Sequence, residues 1–184
     1  DGAYAMSLKF WESVAKFDEV LKKFNKIHSL TNYKDIKPVA LDSIEAIKLL
    51  DFKPKICVDV GSGAGFPAIF LAMILDECEF HLYEPIAKKS SFLSYAALSL
   101  NLQNITVHSG KIENCDKIKA DLITSRALMN TADLIKICQG FYDEETTFLL
   151  YKGSNAKFEI EELKCYKRIY QENERNYVIL KGVK

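Results

Sequence analysis

The stretch Ile56-Cys-Val-Asp-Val-Gly-Ser-Gly-Ala-Gly-Phe-Pro67 passes from β-branched residues to three alternating glycines and then to a proline. Ile56, Val58 and Val60 predict a short strand. Gly61, Gly63 and Gly65 predict a tight turn, because glycine suits backbone that takes positive φ or approaches a ligand closely. Pro67 stands before the apolar run from Ala68 to Leu75, and proline suits the first turn of a helix. Strand, glycine turn and helix start together form a loop suited to a nucleotide-type ligand, since N–H groups at a helix start attract polar or anionic groups. A tight strand-to-helix turn with no ligand is the competing reading.

The spacing of the glycines narrows the ligand. A dinucleotide loop reads G-x-G-x-x-G, with an acidic residue about 20 positions later. Here the spacing is G-x-G-x-G, and Asp59 stands two residues before the first glycine. That Asp-x-Gly-x-Gly-x-Gly pattern resembles motif I of the S-adenosylmethionine (SAM) methyltransferases. Glu84 ends the next apolar strand, Phe80-His-Leu-Tyr-Glu84, where a carboxylate would accept hydrogen bonds from ribose hydroxyls in either ligand class.

Outward from this loop, strand and helix signals alternate. Strands are expected at 56–60, 79–84, 105–109, 120–125 and 146–152, and helices at 67–75, 86–101, 131–140 and 155–164. Strands separated by helices imply right-handed crossovers and a parallel sheet. The C-terminal end differs. Tyr166-Lys-Arg-Ile-Tyr170 and Tyr177-Val-Ile-Leu-Lys181 are joined by six polar residues, too few for a crossover helix, so they predict an antiparallel hairpin. Upstream, apolar residues between Leu8 and Ile27 recur on one face of a helix over 8–28. A second helix is expected from about Asp42 to Leu50, with Pro54 marking the break before the first strand. The expected fold is therefore α/β, a Rossmann-like seven-stranded sheet with a C-terminal hairpin. A helical N-terminal extension (6–54) precedes a core (55–184) within a single domain. Asp1 to Ala5, ahead of Met6, read as a vector remnant.

The 184 residues carry 48% hydrophobic and 27% charged residues and a formal net charge of zero, which argues against a broad electrostatic grip on nucleic acid and leaves only local patches. Five scattered cysteines without a C-x-x-C pair give neither a disulfide framework nor a zinc site, and point to a reducing cytosol. His28, His81 and His108 lack metal-ligand spacing. The longest apolar run, Phe66 to Leu75, is too short to span a bilayer, and no secretory signal pattern is seen.

Several further stretches match one family in order and spacing. They are Asp59 to Pro67, Asn25 to Thr31, Leu41-Asp-Ser43, Lys88-Lys89 before Phe92-Leu93, and the Gly-x-x-Glu of 110–113. Ser125-Arg-Ala127, Ala132-Asp-Leu134 and Leu150-Tyr-Lys-Gly153 follow. The chain resembles the bacterial small-subunit rRNA guanine-N7 methyltransferases (RsmG, also called GidB) over nearly its whole length after Met6. The resemblance implies a cytoplasmic, monomeric enzyme that uses SAM on 16S rRNA of the small ribosomal subunit. Together with the glycine loop it places cofactor contacts on Gly61, Ser62, Gly63, Gly65, Phe66, Glu84, Ile112, Glu113 and Arg126. Arg126 also serves as the positioning group for the target guanine. Lys88, Lys89, Lys111 and Lys152 are the candidates for RNA phosphates. Two departures stand out: Val39-Ala40 replaces the family's His-Phe, and Lys89 replaces an arginine whose planar fork suits phosphate. A nicotinamide-dependent oxidoreductase and a non-catalytic ribosome-binding protein on the same fold are the alternatives.

Overall fold

The computed structural model describes residues 7–126, 128–172 and 175–184; the expected vector remnant and Ala127 of the Ser-Arg-Ala stretch lie outside them. The element order is α1 (Leu8–His28), α2 (Ile36–Glu45), β1 (Ile56–Val60), α3 (Ala68–Ile74), β2 (Glu79–Glu84), α4 (Ala87–Ser99), β3 (Ile105–Ser109), β4 (Leu122–Arg126), α5 (Thr131–Ile137), β5 (Thr147–Lys152), α6 (Ala156–Ile160), β6 (Tyr166–Glu172) and β7 (Arg175–Lys181). The strands form one sheet in the order β3-β2-β1-β4-β5-β7-β6. β1 to β5 run parallel, and β7 inserts antiparallel between β5 and β6. From central β1 the chain moves outward through β2 to β3, then crosses back to β4 on the other side. The carboxyl ends of β1 and β4 therefore flank the switch point at which open α/β sheets hold their ligands.

Both faces of the sheet are covered, which is why the central strands read as continuous apolar runs. On one face Cys57, Phe80, Leu82, Leu122 and Leu149 pack under α1 to α4. On the other, Val58, Val60, Ile123, Phe148 and Leu150 meet Leu134 of α5, Phe141 and Ile160 of α6. α1 is part of the first layer: Phe17 is fully buried, with its ring 5.4 Å from that of Phe70 of α3 and 6.0 Å from that of Phe92 of α4. Among the described residues no helix is long and apolar enough to cross a membrane.

α1 begins at Ser7, whose hydroxyl accepts from Phe10 N, and ends at Ser29 in left-handed backbone. The turn that follows is tied by the Asn25 amide, which donates to Thr31 O at 2.9 Å and accepts from Thr31 N at 3.0 Å. The second helix starts six residues earlier than expected. Asp35 caps it by accepting from Lys37 N, and Pro38 lies in the first turn, where a missing N–H removes no helical bond. The expected tail of that helix is instead a 3₁₀ turn at Ala46–Leu49. The C-terminal strands reach further toward each other than expected, with Glu172 paired to Arg175 across the hairpin.

Candidate active site

The glycine loop takes the expected backbone: Gly61, Gly63 and Gly65 have φ of +68°, +57° and +97°. Its amides, however, are engaged within the protein. Gly61 N and Ser62 N donate to Tyr83 O, Gly65 N donates to Ser62 O, and Gly63 N donates to Glu84 Oε1 at 2.8 Å. The expectation of free amides ready for a ligand is corrected at these four positions. A loop of this kind offers shape rather than a row of donors, so it does not suit a pyrophosphate held by amides.

Two carboxylates hold the loop. Asp59, 1% exposed, accepts from Ser62 Oγ at 2.6 Å and from Thr124 Oγ1 at 2.5 Å. The Ser62 hydroxyl is thereby turned inward, and Ser62 drops out as a side-chain contact to a cofactor. Glu84, also buried, accepts from Gly63 N with one oxygen and from Ile86 N with the other, both at 2.8 Å. A carboxylate has about four acceptor positions, so this clamp does not exhaust it.

Beside the loop a cavity of about 290 Å³ is lined by Gly61, Pro85, Lys111, Ile112, Glu113 and Leu128 among others. Ile112 is buried and Glu113 exposed. A Cβ built on Gly61 would come within 2.8 Å of Leu128 Cδ2, whereas one on Gly63 would meet nothing nearer than Gly61 O at 3.9 Å. Gly63 thus leaves open space in front of the loop, while Gly65 is glycine for packing, since its Cβ would fall 2.4 Å from Ile69 Cγ1. Tyr83, which also lines the cavity, buries its hydroxyl without a hydrogen-bond partner. Apolar walls, a glycine floor, an orphaned hydroxyl and a flanking carboxylate fit a group carrying an adenosine.

Arg126 ends β4 on the other side of the switch point. Its guanidinium lies 5.6 Å from the centre of the Phe66 ring. Burial, and then the neighbouring Arg175, pulls its pKa below the ordinary arginine value, although it stays charged. Arg126 lines a second cavity, of about 550 Å³, together with Asp42, Glu45, Arg175 and Tyr177. None of these four residues stands out as a site residue in the sequence, although Asp42 falls within the Leu41-Asp-Ser43 stretch.

The lysines separate. Lys111 is exposed at the rim of the first cavity, and Lys89 is half-buried on α4. Lys88 is exposed, but its ammonium donates to His28 O at the end of α1. Lys152 does not face solvent at all. It is 4% exposed, donates to Met129 O at 2.6 Å and pairs with Glu159 at 3.0 Å. Glu159 also accepts from Thr131 N, so Lys152 ties β5 to α5 and α6, and the RNA assignment for it is corrected.

A parallel sheet closed by an antiparallel hairpin, a G-x-G-x-G turn after β1 and a carboxylate ending β2 define a SAM-dependent methyltransferase. Solved structures share the fold. MtNAS, determined as a mutant in complex with S-adenosylmethionine, superposes with a TM-score of 0.68 at 12% identity over 94% of this chain and 72% of that one. A methyltransferase from Geobacter sulfurreducens gives 0.65 at 10% identity, over 90% and 88%. At such identities the likeness shows the fold alone. Sequence goes further. The family model for GidB, rRNA small subunit methyltransferase G, matches residues 11–183. The ribosomal RNA small subunit methyltransferase G of Campylobacter fetus is 68% identical over 175 residues, 95% of this chain and 96% of that protein. The chain belongs to the rRNA small subunit methyltransferase G family and is a SAM-dependent rRNA methyltransferase; the oxidoreductase and the non-catalytic readings are not favoured.

Proposed function

We propose that this single-domain protein acts as a cytosolic monomer and methylates N7 of a guanine in 16S rRNA of the small ribosomal subunit. Gly61, Gly63, Phe66, Glu84, Ile112, Glu113 and Arg126 hold the cofactor, Gly65 serves the loop by packing against Ile69, and Lys88, Lys89 and Lys111 meet RNA. The observation that carries this reading is the place of Arg126, which lies against Phe66 of the cofactor loop and also lines the second cavity.

Bound SAM supplies an electrophilic methyl group. Guanine N7 carries an in-plane lone pair and no proton, so the protein needs no general base and its task is positioning. Arg126 donates to guanine O6 and leaves N7 open. N7 lies in the deep groove of duplex RNA, which side chains cannot read, so the target lies in a loop or other non-duplex region. Labelled-methyl transfer to small ribosomal subunits, followed by digestion and mapping, tests the reading. A single N7-methylguanosine is expected. Methyl groups on another atom or another base would replace it.

A further inference from the structure

The second cavity lies between α2, the end of β4 and β7, and its charges are unusual for a protein that binds RNA. Asp42, Glu45 and Glu172 face Arg126 and Arg175, so carboxylates outnumber guanidiniums. A phosphate pocket would be the reverse. Pro38 and Val39 add apolar wall. The lining therefore suits a planar, neutral group that offers both donors and acceptors.

Asp42 is the most constrained of these groups. Its Oδ1 accepts from Tyr177 OH at 2.7 Å, which fixes the carboxylate. Its Oδ2 is buried and makes no hydrogen bond, although Arg175 Nε lies 3.3 Å away, a charge contact that is poorly aligned. A buried acceptor without a donor is costly, and it marks where a ligand's donor belongs.

We propose that this cavity takes the extruded target guanine and that Asp42 reads its Watson–Crick edge, accepting from N1–H and the N2 amine. The proposal rests on the guanine-N7 reading above. Bases acted on by enzymes are commonly read on that edge after leaving the stack. A carboxylate there selects guanine: adenine presents an N1 lone pair, which an anion repels. With N1 and N2 held by Asp42 and O6 by Arg126, the N7 edge is left free toward Phe66 and the cofactor loop. Entry of the base exchanges the misaligned Arg175 contact for two aligned hydrogen bonds and frees the Arg175 guanidinium for the nucleotide's phosphate. Transfer of the methyl group moves positive charge onto the purine, and the surplus of carboxylates around it favours that change.

The test uses the whole enzyme and small subunits reconstituted around rRNA with either guanosine or inosine at the mapped position. Inosine keeps N1–H, O6 and N7 but lacks the N2 amine. Wild-type enzyme should lose roughly 10- to 100-fold in kcat/KM on the inosine subunits. Asp42→Asn should fall by a similar factor on guanosine subunits and show little further loss on inosine, with SAM affinity unchanged. A structural role alone would lower both substrates together. Equal wild-type rates on the two substrates, which require no variant to fold, would overturn the proposal, as would an undiminished guanosine preference in Asp42→Asn. If wild-type enzyme gives no N7-methylguanosine on guanosine subunits, the underlying reading itself falls.

Discussion

Asp59 lies beneath the glycine loop, and burial raises its pKa to about 7; the bonds from Ser62 and Thr124 pull it down, and the Glu84 charge pushes it up again. In the unfolded chain it has the ordinary value near 3.8. Between these values the unfolded state has lost the proton and the folded state keeps it. The stabilisation is therefore complete below about pH 4 and lost as pH rises toward 7. Asp59→Asn should flatten this part of the profile: from pH 5 to pH 8 its urea midpoint should fall less than that of wild type. An equal fall in both would place the titration elsewhere. The same residue bears on catalysis, because it titrates where a general base would be poised. It is 1% exposed and engaged by two hydroxyls, with no route to a base nitrogen. Single-turnover rates from about pH 6 to 9 should be flat. A tenfold rise per pH unit that disappears in Asp59→Asn would make Asp59 the base. At this scale the sequence shows which residue types stand at the strand ends, but not what they touch. Lys152 reads as a strand-end cation; its partner, Glu159, lies seven residues on and reaches it only once α6 folds back.

The loop joining β1 to α3 is held more by its own contacts than by the helix behind it. α3 has seven residues, and the loop amides bond to Tyr83 O, Ser62 O and Glu84. Gly63 is where conformation and openness coincide, with φ +57° and free space in front. Gly63→Val forces a β-branched residue into left-handed backbone, costing about 1–2 kcal/mol or more, and projects it toward the ligand. Circular dichroism should show the fold retained and calorimetry a loss of SAM affinity. Unchanged affinity would move the cofactor off this face of the loop. Elements as a class were legible where periodicity was long: the stripe from Leu8 to Ile27 gives α1 its residues, and β1, β2 and β3 fall where alternation and turn residues put them. α2 begins six residues ahead of the expected Asp42 because its start is set by Asp35, which caps it, and Pro38 fits within its first turn. The hairpin was legible in its short polar connection, whereas insertion of β7 between β5 and β6 is a pairing choice that local sequence does not encode.

For the whole molecule, zero net charge leaves RNA binding to local geometry. α1 ends where α4 begins, as the Lys88–His28 hydrogen bond shows, so Lys26 in the last turn of α1 is brought to the same end of the molecule as Lys88 and Lys89. Lys26 is exposed and Lys89 half-buried. This juxtaposition was not legible from the sequence, in which some 60 residues separate the groups. It also decides which lysines to replace. Replacing Lys88 by glutamate would set a carboxylate against a helix-terminal carbonyl and disturb α1, mixing folding with binding. Lys26→Glu with Lys89→Glu leaves that bond in place. If both ammonium groups meet phosphates, each lost contact should flatten the dependence of log affinity on log salt by about 0.7, the single-strand value, while SAM affinity stays unchanged. Binding of the double variant to small subunits, measured from low to physiological salt, should therefore be weakest relative to wild type at low salt, and the two curves should converge as salt rises. Parallel curves would mean that neither lysine releases counterions, and the RNA face would then lie on the other side of the cleft, around Lys111.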